Sequence, residues 1–409
     1  MLTSVDDARR IVMESLPLPL FEECLLGDLQ GRVLAADVTA PFPMPRFTNS
    51  AMDGFAFRMA DAAVGSSYTP VRLPVSLRIP AGSNSAAALP PGSAAEIMTG
   101  APMPDGSDTV VPFENTSGFG ASEVEIYRLP KAGANVRHRG EEVAMGQRVL
   151  EAGWRISPAE IAVLASFGVE SVPVWCRPSV ALVVVGDELQ RQGGTLTEAS
   201  IYDSNSHMLR AACRSAGIDP VIVLYAEDDP AAVRKVLATA LATADVTVTS
   251  GGISTGAYDF VQAELAQLGI EKKFWTVSQK PGKPFYFGCS PGGKAVFALP
   301  GNPVSALVCF MEYCVPALMK MQGLTLPAKL QATLDAPFPA DRKRYRFLPG
   351  VLREEGGRLF CRTTGLMESH MATSFVGANC IIESPPLDTP VPEGETIACS
   401  LLPWASLRS

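Results

Sequence analysis

The chain has 409 residues, 47% hydrophobic and 19% charged, with a net charge of −8; this length implies roughly three or four domains rather than one core. The acidic balance argues against a general nucleic-acid binder, the acidic amphipathic N-terminus is no signal peptide, and no apolar run reads as long enough to cross a bilayer. Nine cysteines, an odd number without a C-x-x-C pair, read as buried thiols of a soluble protein in a reducing cytoplasm rather than as disulfides or a zinc site.

Residues 3–15 predict a helix, with Thr3 or Ser4 as cap and Val5, Ala8, Ile11 and Val12 on one face. An extended piece ending at Val33–Ala40 leads into PFPMPRFTNSAMDGFAF. Its closely spaced prolines exclude helix and make a stiff crossing segment. Asp53-Gly54 reads locally as a hairpin turn before the strand Phe55–Phe57. Short β-rich runs at Val71–Ile79, Ala95–Met98, Thr109–Phe113 and Glu123–Leu129 then alternate with turns, which predicts a small barrel or sandwich. The charged loop Asn135–Gly146 reads as a solvated turn, and residues 157–167 return to helix behind Ser157 and Pro158.

From Val180 strands and helices alternate. Strands are expected at Ala181–Val185, Val221–Tyr225, Val246–Thr249 and Ala295–Leu299. Helices are expected near Ser204–Ala216, Pro230–Ala242 and Asp259–Leu268, and from Val304 with Asn302 and Pro303 as its cap. Such alternation predicts a doubly wound α/β domain. Its strands end in Gly186-Asp187-Glu188, Gly251-Gly252 and Pro300-Gly301-Asn302-Pro303, and loops at the carboxyl ends of parallel strands are where such sheets bind ligands. Glycine turns and helix starts free backbone N–H groups there, and Lys280 and Lys283 add positive charge, so a phosphate-bearing or oxyanionic ligand is implied. Asp187, Glu188, Asp203 and Asp259 near strand ends suit Mg²⁺ held together with substrate phosphates, although Asp259 also reads as a helix cap. Beyond Pro327 short strands return, carrying the basic run Arg342–Arg346.

Two generic motifs come close. Gly252–Gly256 satisfies G-x-S-x-G around Ser254, but a serine hydrolase would need His370 from a separate domain as its base. Gly288–Lys294 resembles a phosphate-binding loop, yet Ala295 replaces the required hydroxyl residue and a strand follows, so it reads as a hairpin turn.

Taken together, Asn49–Phe55 (NSAMDGF), Ile97–Pro102 (IMTGAP), Arg139–Glu141, Gly186–Leu189 (GDEL), Tyr202–Asn205 (YDSN), Ser250–Ser254 (SGGIS), Asp259, Lys280–Pro284 (KPGKP) and Leu299–Ser305 (LPGNPVS) resemble one family over almost the whole chain. It is the molybdopterin molybdenumtransferases of the MoeA type, related to the E domain of gephyrin. The resemblance implies an elongated N-terminal domain (1–47 with 141–177), an inserted β-rich domain (48–140), a doubly wound α/β domain of molybdopterin-binding type (178–326), and a small C-terminal β-barrel domain (327–409). It implies insertion of molybdate into adenylylated molybdopterin with Mg²⁺-dependent release of AMP. The enzyme would be a homodimer whose cleft joins the α/β domain of one subunit to other domains of its partner, served by a molybdopterin adenylyltransferase and molybdoenzyme-maturation proteins.

By the same resemblance, Asp53, Thr99, Glu188, Asp259, Lys280 and Lys283 are the catalytic positions, with Asp187, Glu188 and Asp259 toward the metal. Gly251, Gly252, Ser254, Pro284, Pro300, Gly301, Asn302, Pro303, Arg346 and Ser369 fall at substrate. Two departures stand out: Glu142 where the family usually has Asp, and Glu368 where Gln is commoner. The rival from another class is a gephyrin-like scaffold without turnover, which would have no need of the lysine–carboxylate set.

Overall fold

The computed structural model describes residues 2–62, 70–83, 87–253, 260–365 and 368–407. The chain divides into two compact units, one of Met1–Ala35, Arg155–Ser157 and Ser171–Ser409, the other of Ala36–Trp154 and Pro158–Glu170.

The larger unit is built on a sheet whose strands are β1 (Val180–Val185), β2 (Ile222–Ala226), β3 (Val246–Ser250), β4 (Glu271–Trp275), β6 (Tyr286–Cys289) and β7 (Ala295–Leu299). A short strand between the last three, β5 (Gln279–Lys280), leaves to join the C-terminal sheet. The order is β2-β1-β3-β7-β6-β4. The first four strands are parallel, and β6 and β4 extend the sheet antiparallel. β4 was not expected from the sequence, because its exposed Glu271 and Lys272 hide an edge strand among polar residues.

Every residue of β1, β3 and β7 is buried, as parallel strands covered on both faces must be. Successive side chains point to opposite faces. Val180, Leu182, Val246, Val248, Ala295, Phe297 and Leu299 meet helices α1 (Val5–Ser15), α2 (Asn205–Ser215), α5 (Pro303–Cys309) and α6 (Val315–Met321). Ala181, Val183, Val185, Val296 and Ala298 meet α3 (Pro230–Thr243) and α4 (Val261–Gln267). The helix starts follow their capping chemistry. Ser4 accepts from the Asp7 N–H at 3.0 Å and Asp229 from the Ala232 N–H at 2.8 Å.

α5 and α6 are one helix interrupted by a π turn at Phe310–Cys314. Pro316 supplies the reason: it lacks the N–H that would continue the α ladder, and a widened turn absorbs the missing bond. The whole helix, Pro303–Met321, is long and apolar enough to span a bilayer, with hydropathy 1.5, which corrects the sequence expectation. Its window is 78% buried, however, and its residues are the centre of the core.

The C-terminal strands β8 (Leu330–Leu334), β9 (Tyr345–Glu355), β10 (Arg358–Thr363), β11 (Cys380–Ser384) and β12 (Thr396–Leu401) run in the order β9-β10-β8-β12-β11. β11 pairs back onto β9, which closes a small barrel. Its interior holds Phe338, Leu348, Leu352, Ile382 and the thiols of Cys361, Cys380 and Cys399. All nine cysteines are free.

In the smaller unit a five-stranded sheet runs Thr109–Pro112, Gly54–Phe57, Ala94–Ile97, Val71–Ile79, Glu123–Ile126. It is one sheet with a small core on each face, Phe55 and Phe57 on one side and Ala56 on the other. The barrel or sandwich expected from these runs is therefore corrected: alternate residues of the same strands fill both cores.

Candidate active site

The smaller unit presents Asp53 and Thr99 to each other. The Asp53 carboxylate accepts the Thr99 N–H at 2.6 Å and its hydroxyl at 2.7 Å. These bonds, the backbone one foremost, hold the carboxyl below its usual range. The local hairpin reading of Asp53-Gly54 fails. Asn49–Ser50 pairs with Val136–Arg137, whereas Gly54–Phe57 pairs with Ala94–Ile97 and Thr109–Pro112.

In the larger unit the strand-end loops converge. Gly251 has φ +90 and stands so close to β1 that a Cβ would lie 2.2 Å from the Val185 carbonyl oxygen. On its other side the loop after β7 approaches, since a Cβ on Gly301 would lie 3.9 Å from the Gly251 Cα. The buried Asn205 at the start of α2 ties these two loops, donating from Nδ2 to Ser250 Oγ at 2.8 Å and to the Gly301 carbonyl at 2.7 Å. Asn302 sits at the helix cap position but makes no capping bond, contrary to the expectation. Its Nδ2 donates instead to Ser369 Oγ at 3.1 Å, and the Val304 N–H donates to the Ser369 carbonyl at 3.2 Å. Pro300, Gly301, Asn302 and Pro303 are thus held between β3 and the C-terminal barrel.

The loop Lys280–Pro284 lies against α5, with Gly282 packed over Cys309 and the Ser305 carbonyl. Lys283 is exposed, and Lys280 and Pro284 are half-buried. Among the described residues the N–H groups of Gly282 and Lys283 meet no acceptor. β5 pairs with β9 so that Lys280 stands opposite Arg346. Arg346 is only 7% exposed, makes no ion pair among the described residues, and leaves its Nε without a partner. Burial above all pushes its pKa down.

The carboxylates behave differently from one another. Glu188 is exposed and forms no ion pair among the described residues. Asp187 exchanges two bonds with Asp228, accepting its N–H at 2.9 Å and donating its own at 3.3 Å. Asp203, read as another candidate toward a metal, is 1% exposed and spoken for by Ser206 and by the Tyr225 hydroxyl. It anchors α2. Ser254 and Asp259 lie outside the described residues, and among the described ones no cluster of three or more His, Cys, Asp or Glu is placed to hold a metal ion.

The comparisons with known proteins follow the same chain order. Residues 3–168 match the MoeA N-terminal region (domain I and II), 181–320 a probable molybdopterin binding domain, and 331–402 the MoeA C-terminal region (domain IV). The molybdopterin molybdenumtransferase 2 of Mycobacterium tuberculosis (strain ATCC 25618 / H37Rv) is 36% identical over 393 residues, spanning 94% of this chain and 96% of the relative. This chain belongs to the molybdopterin molybdenumtransferases. The relative from Haemophilus influenzae is 35% identical over 97% of this chain and 98% of its own. A MoeA protein of molybdopterin biosynthesis from Pyrococcus horikosii superposes with a TM-score of 0.82 at 30% identity, covering 98% of this chain and 99% of that one. A molybdenumtransferase of molybdenum cofactor biosynthesis leaves no place for a serine hydrolase built on Ser254.

Sequence reasoning missed the role of Asn205 in tying the two strand-end loops; its place in the run Tyr202–Asn205 was the signal available.

Proposed function

We propose that this molybdenumtransferase takes adenylylated molybdopterin and molybdate, inserts the metal at the dithiolene, and cleaves the pyrophosphate link to release AMP. The observation that carries the reading is Arg346, 7% exposed, with a buried Nε that has no partner and a guanidinium in no ion pair among the described residues, standing opposite Lys280 on the neighbouring strand. An unpaired buried charge is costly, and an oxyanion is the partner that removes the cost. Lys280, Lys283, Arg346 and the Ser369 hydroxyl then form a receptor for molybdate. The unpaired N–H groups of Gly282 and Lys283 add backbone donors of the kind that cradle anions. The loops at Gly251-Gly252 and Pro300–Pro303 are close-packed and rigid, suited to holding a phosphate-bearing pterin without reorganisation.

For Mg²⁺ the available oxygen donors fit in kind: Glu188 is exposed and forms no ion pair among the described residues, Asp187 is a hard carboxylate beside it, and the sequence adds Asp259. Bound there with substrate phosphates, the cation would neutralise charge on the cleaved link. The protein acts as a cytoplasmic homodimer.

The test is direct. Purified protein incubated with adenylylated molybdopterin, molybdate and Mg²⁺ should release AMP in proportion to molybdate, and Glu188→Gln should lose that release while keeping its fold. Molybdate-independent nucleotide release, or wild-type turnover in Glu188→Gln, refutes the respective part. A scaffold without turnover would bind the pterin and release nothing.

A further inference from the structure

Beneath the lysine loop lies a buried polar arrangement that the proposed chemistry does not itself use. Gln279 is 0% exposed and Tyr313 is 1% exposed. The Gln279 Nε2 donates to the Pro281 carbonyl at 3.1 Å and to Cys309 Sγ at 3.4 Å. Since Pro281 offers only an acceptor there, the amide must present its nitrogen to the loop and its Oε1 to Tyr313. The Tyr313 hydroxyl donates to that Oε1. The Cys309 thiol in turn approaches the Gly282 carbonyl at 3.7 Å. Both carbonyls between Lys280 and Lys283 are thus engaged from below, and the N–H groups of Gly282 and Lys283 are left to face away from these partners.

The geometry has two further supports. A Cβ on Gly282 would lie 2.5 Å from Cys309 Sγ and 2.8 Å from Gln279 Nε2, at φ +85, so the loop rests directly on this platform. Tyr313 belongs to the π turn at Phe310–Cys314 and stacks on Phe285 with ring centroids 4.6 Å apart. The π turn is wider than an α turn, so Tyr313, which lies within it, is displaced from where an unbroken α-helix would put it.

We infer that Tyr313 and Gln279 are positioning residues for oxyanion capture, holding the Lys280–Lys283 loop in the geometry that presents its lysines and backbone donors to molybdate. This inference rests on the oxyanion reading of the loop. The pair touches no substrate and acts through Lys283.

Tyr313→Phe keeps the stacked ring and removes one hydroxyl. It leaves a buried amide oxygen unpaired, and relaxation of the amide toward other partners loosens the loop. Gln279→Met serves as a second variant of similar length without hydrogen bonds. Full-length variants are compared for the molybdate dependence of AMP release, with melting temperature read in parallel. Tyr313→Phe should raise the KM for molybdate about tenfold, the scale of one lost hydrogen bond, with kcat within about twofold. The double variant Tyr313→Phe/Lys283→Ala should be no worse in KM than Lys283→Ala alone, because residues acting through one another are non-additive.

Wild-type KM in Tyr313→Phe and Gln279→Met, whatever their melting temperatures, overturns the positioning role while leaving the anion site intact. Effects of Tyr313→Phe and Lys283→Ala that simply multiply also overturn it, since the two would then act separately. A wild-type KM in Lys283→Ala overturns the oxyanion reading itself, and the positioning role with it.

Discussion

Single residues carry the sharpest physical consequences. The Asp53 carboxyl is held below its ordinary range by the Thr99 N–H and hydroxyl. Because its folded pKa is depressed, the stabilisation it provides is present above the unfolded carboxylate pKa and is lost as pH falls through the lower folded value. Thr99→Ala should move the Asp53 pKa back toward 3.8, whereas Thr99→Ser should hold it down, as followed by carbon-detected NMR titration. An unchanged pKa in Thr99→Ala would show that the hydroxyl adds nothing to the backbone bond. Glycine 251 makes a steric prediction. A left-handed residue with a side chain pays roughly 1–2 kcal/mol in backbone strain alone. Gly118→Ala, at φ +91 with open space around it, should show only that cost. Gly251→Ala must in addition force a Cβ into the Val185 carbonyl, so its loss of stability in urea titration should clearly exceed that of Gly118→Ala.

At the scale of elements, the π turn joins two neighbourhoods. Tyr313 reaches the lysine loop, and its neighbour Glu312 reaches α1. There the Arg9 guanidinium bonds Glu312 at 2.5 Å and Glu383 at 2.7 Å, lies over the rings of Tyr345 and Phe347, and shares Glu383 with Lys329. The glutamates are 7% and 2% exposed. Removing one partner of a buried ionic group typically costs about 3–5 kcal/mol, because the remaining charges stay buried. Arg9→Ala should destabilise the protein by that order, measured as a shift of the urea midpoint. A shift no larger than that of Arg10→Ala, whose ion pairs are solvent-exposed, would show that water reaches the glutamates. Lysine 329 illustrates the opposing side of burial: desolvation, chiefly, brings its pKa down to about 8 despite the two carboxylates beside it.

At the scale of the whole molecule, the Asp53–Thr99 group and the strand-end loops are proposed to serve one reaction. They lie in separate compact units of the chain. We expect sites composed from two subunits of a homodimer, and complementation tests this. Asp53→Ala and Glu188→Gln chains, each inactive alone, should regain roughly a quarter of wild-type activity per site when mixed and allowed to exchange. Closed twofold symmetry makes one site in each heterodimer from two intact halves. Demonstrated exchange without recovered activity would put both residues in one subunit's site.

Much of this protein was written in short-range pattern. The fully apolar run Val180–Val185 could only be a strand buried on both faces, and Ser4 and Asp229 announce their helices through capping chemistry that needs only three residues. The abrupt Gly and Pro endings of β1, β3 and β7 marked the ligand-binding edge, since glycine turns and proline stops act locally. Tertiary structure alone decided which groups met. Asn302 spends its amide on Ser369, 67 residues away, instead of on its own helix. Asp203 turns inward to Ser206 and Tyr225, and Gln279 finds Tyr313 across 34 residues. Partners so distant leave no periodic trace, because hydrogen-bond choice in a buried site is settled by which polar groups packing strands together without water. The sequence could name the strand ends and the charges on them; only the packed core determined which of those groups are spent on holding the loops and which are left free for substrate.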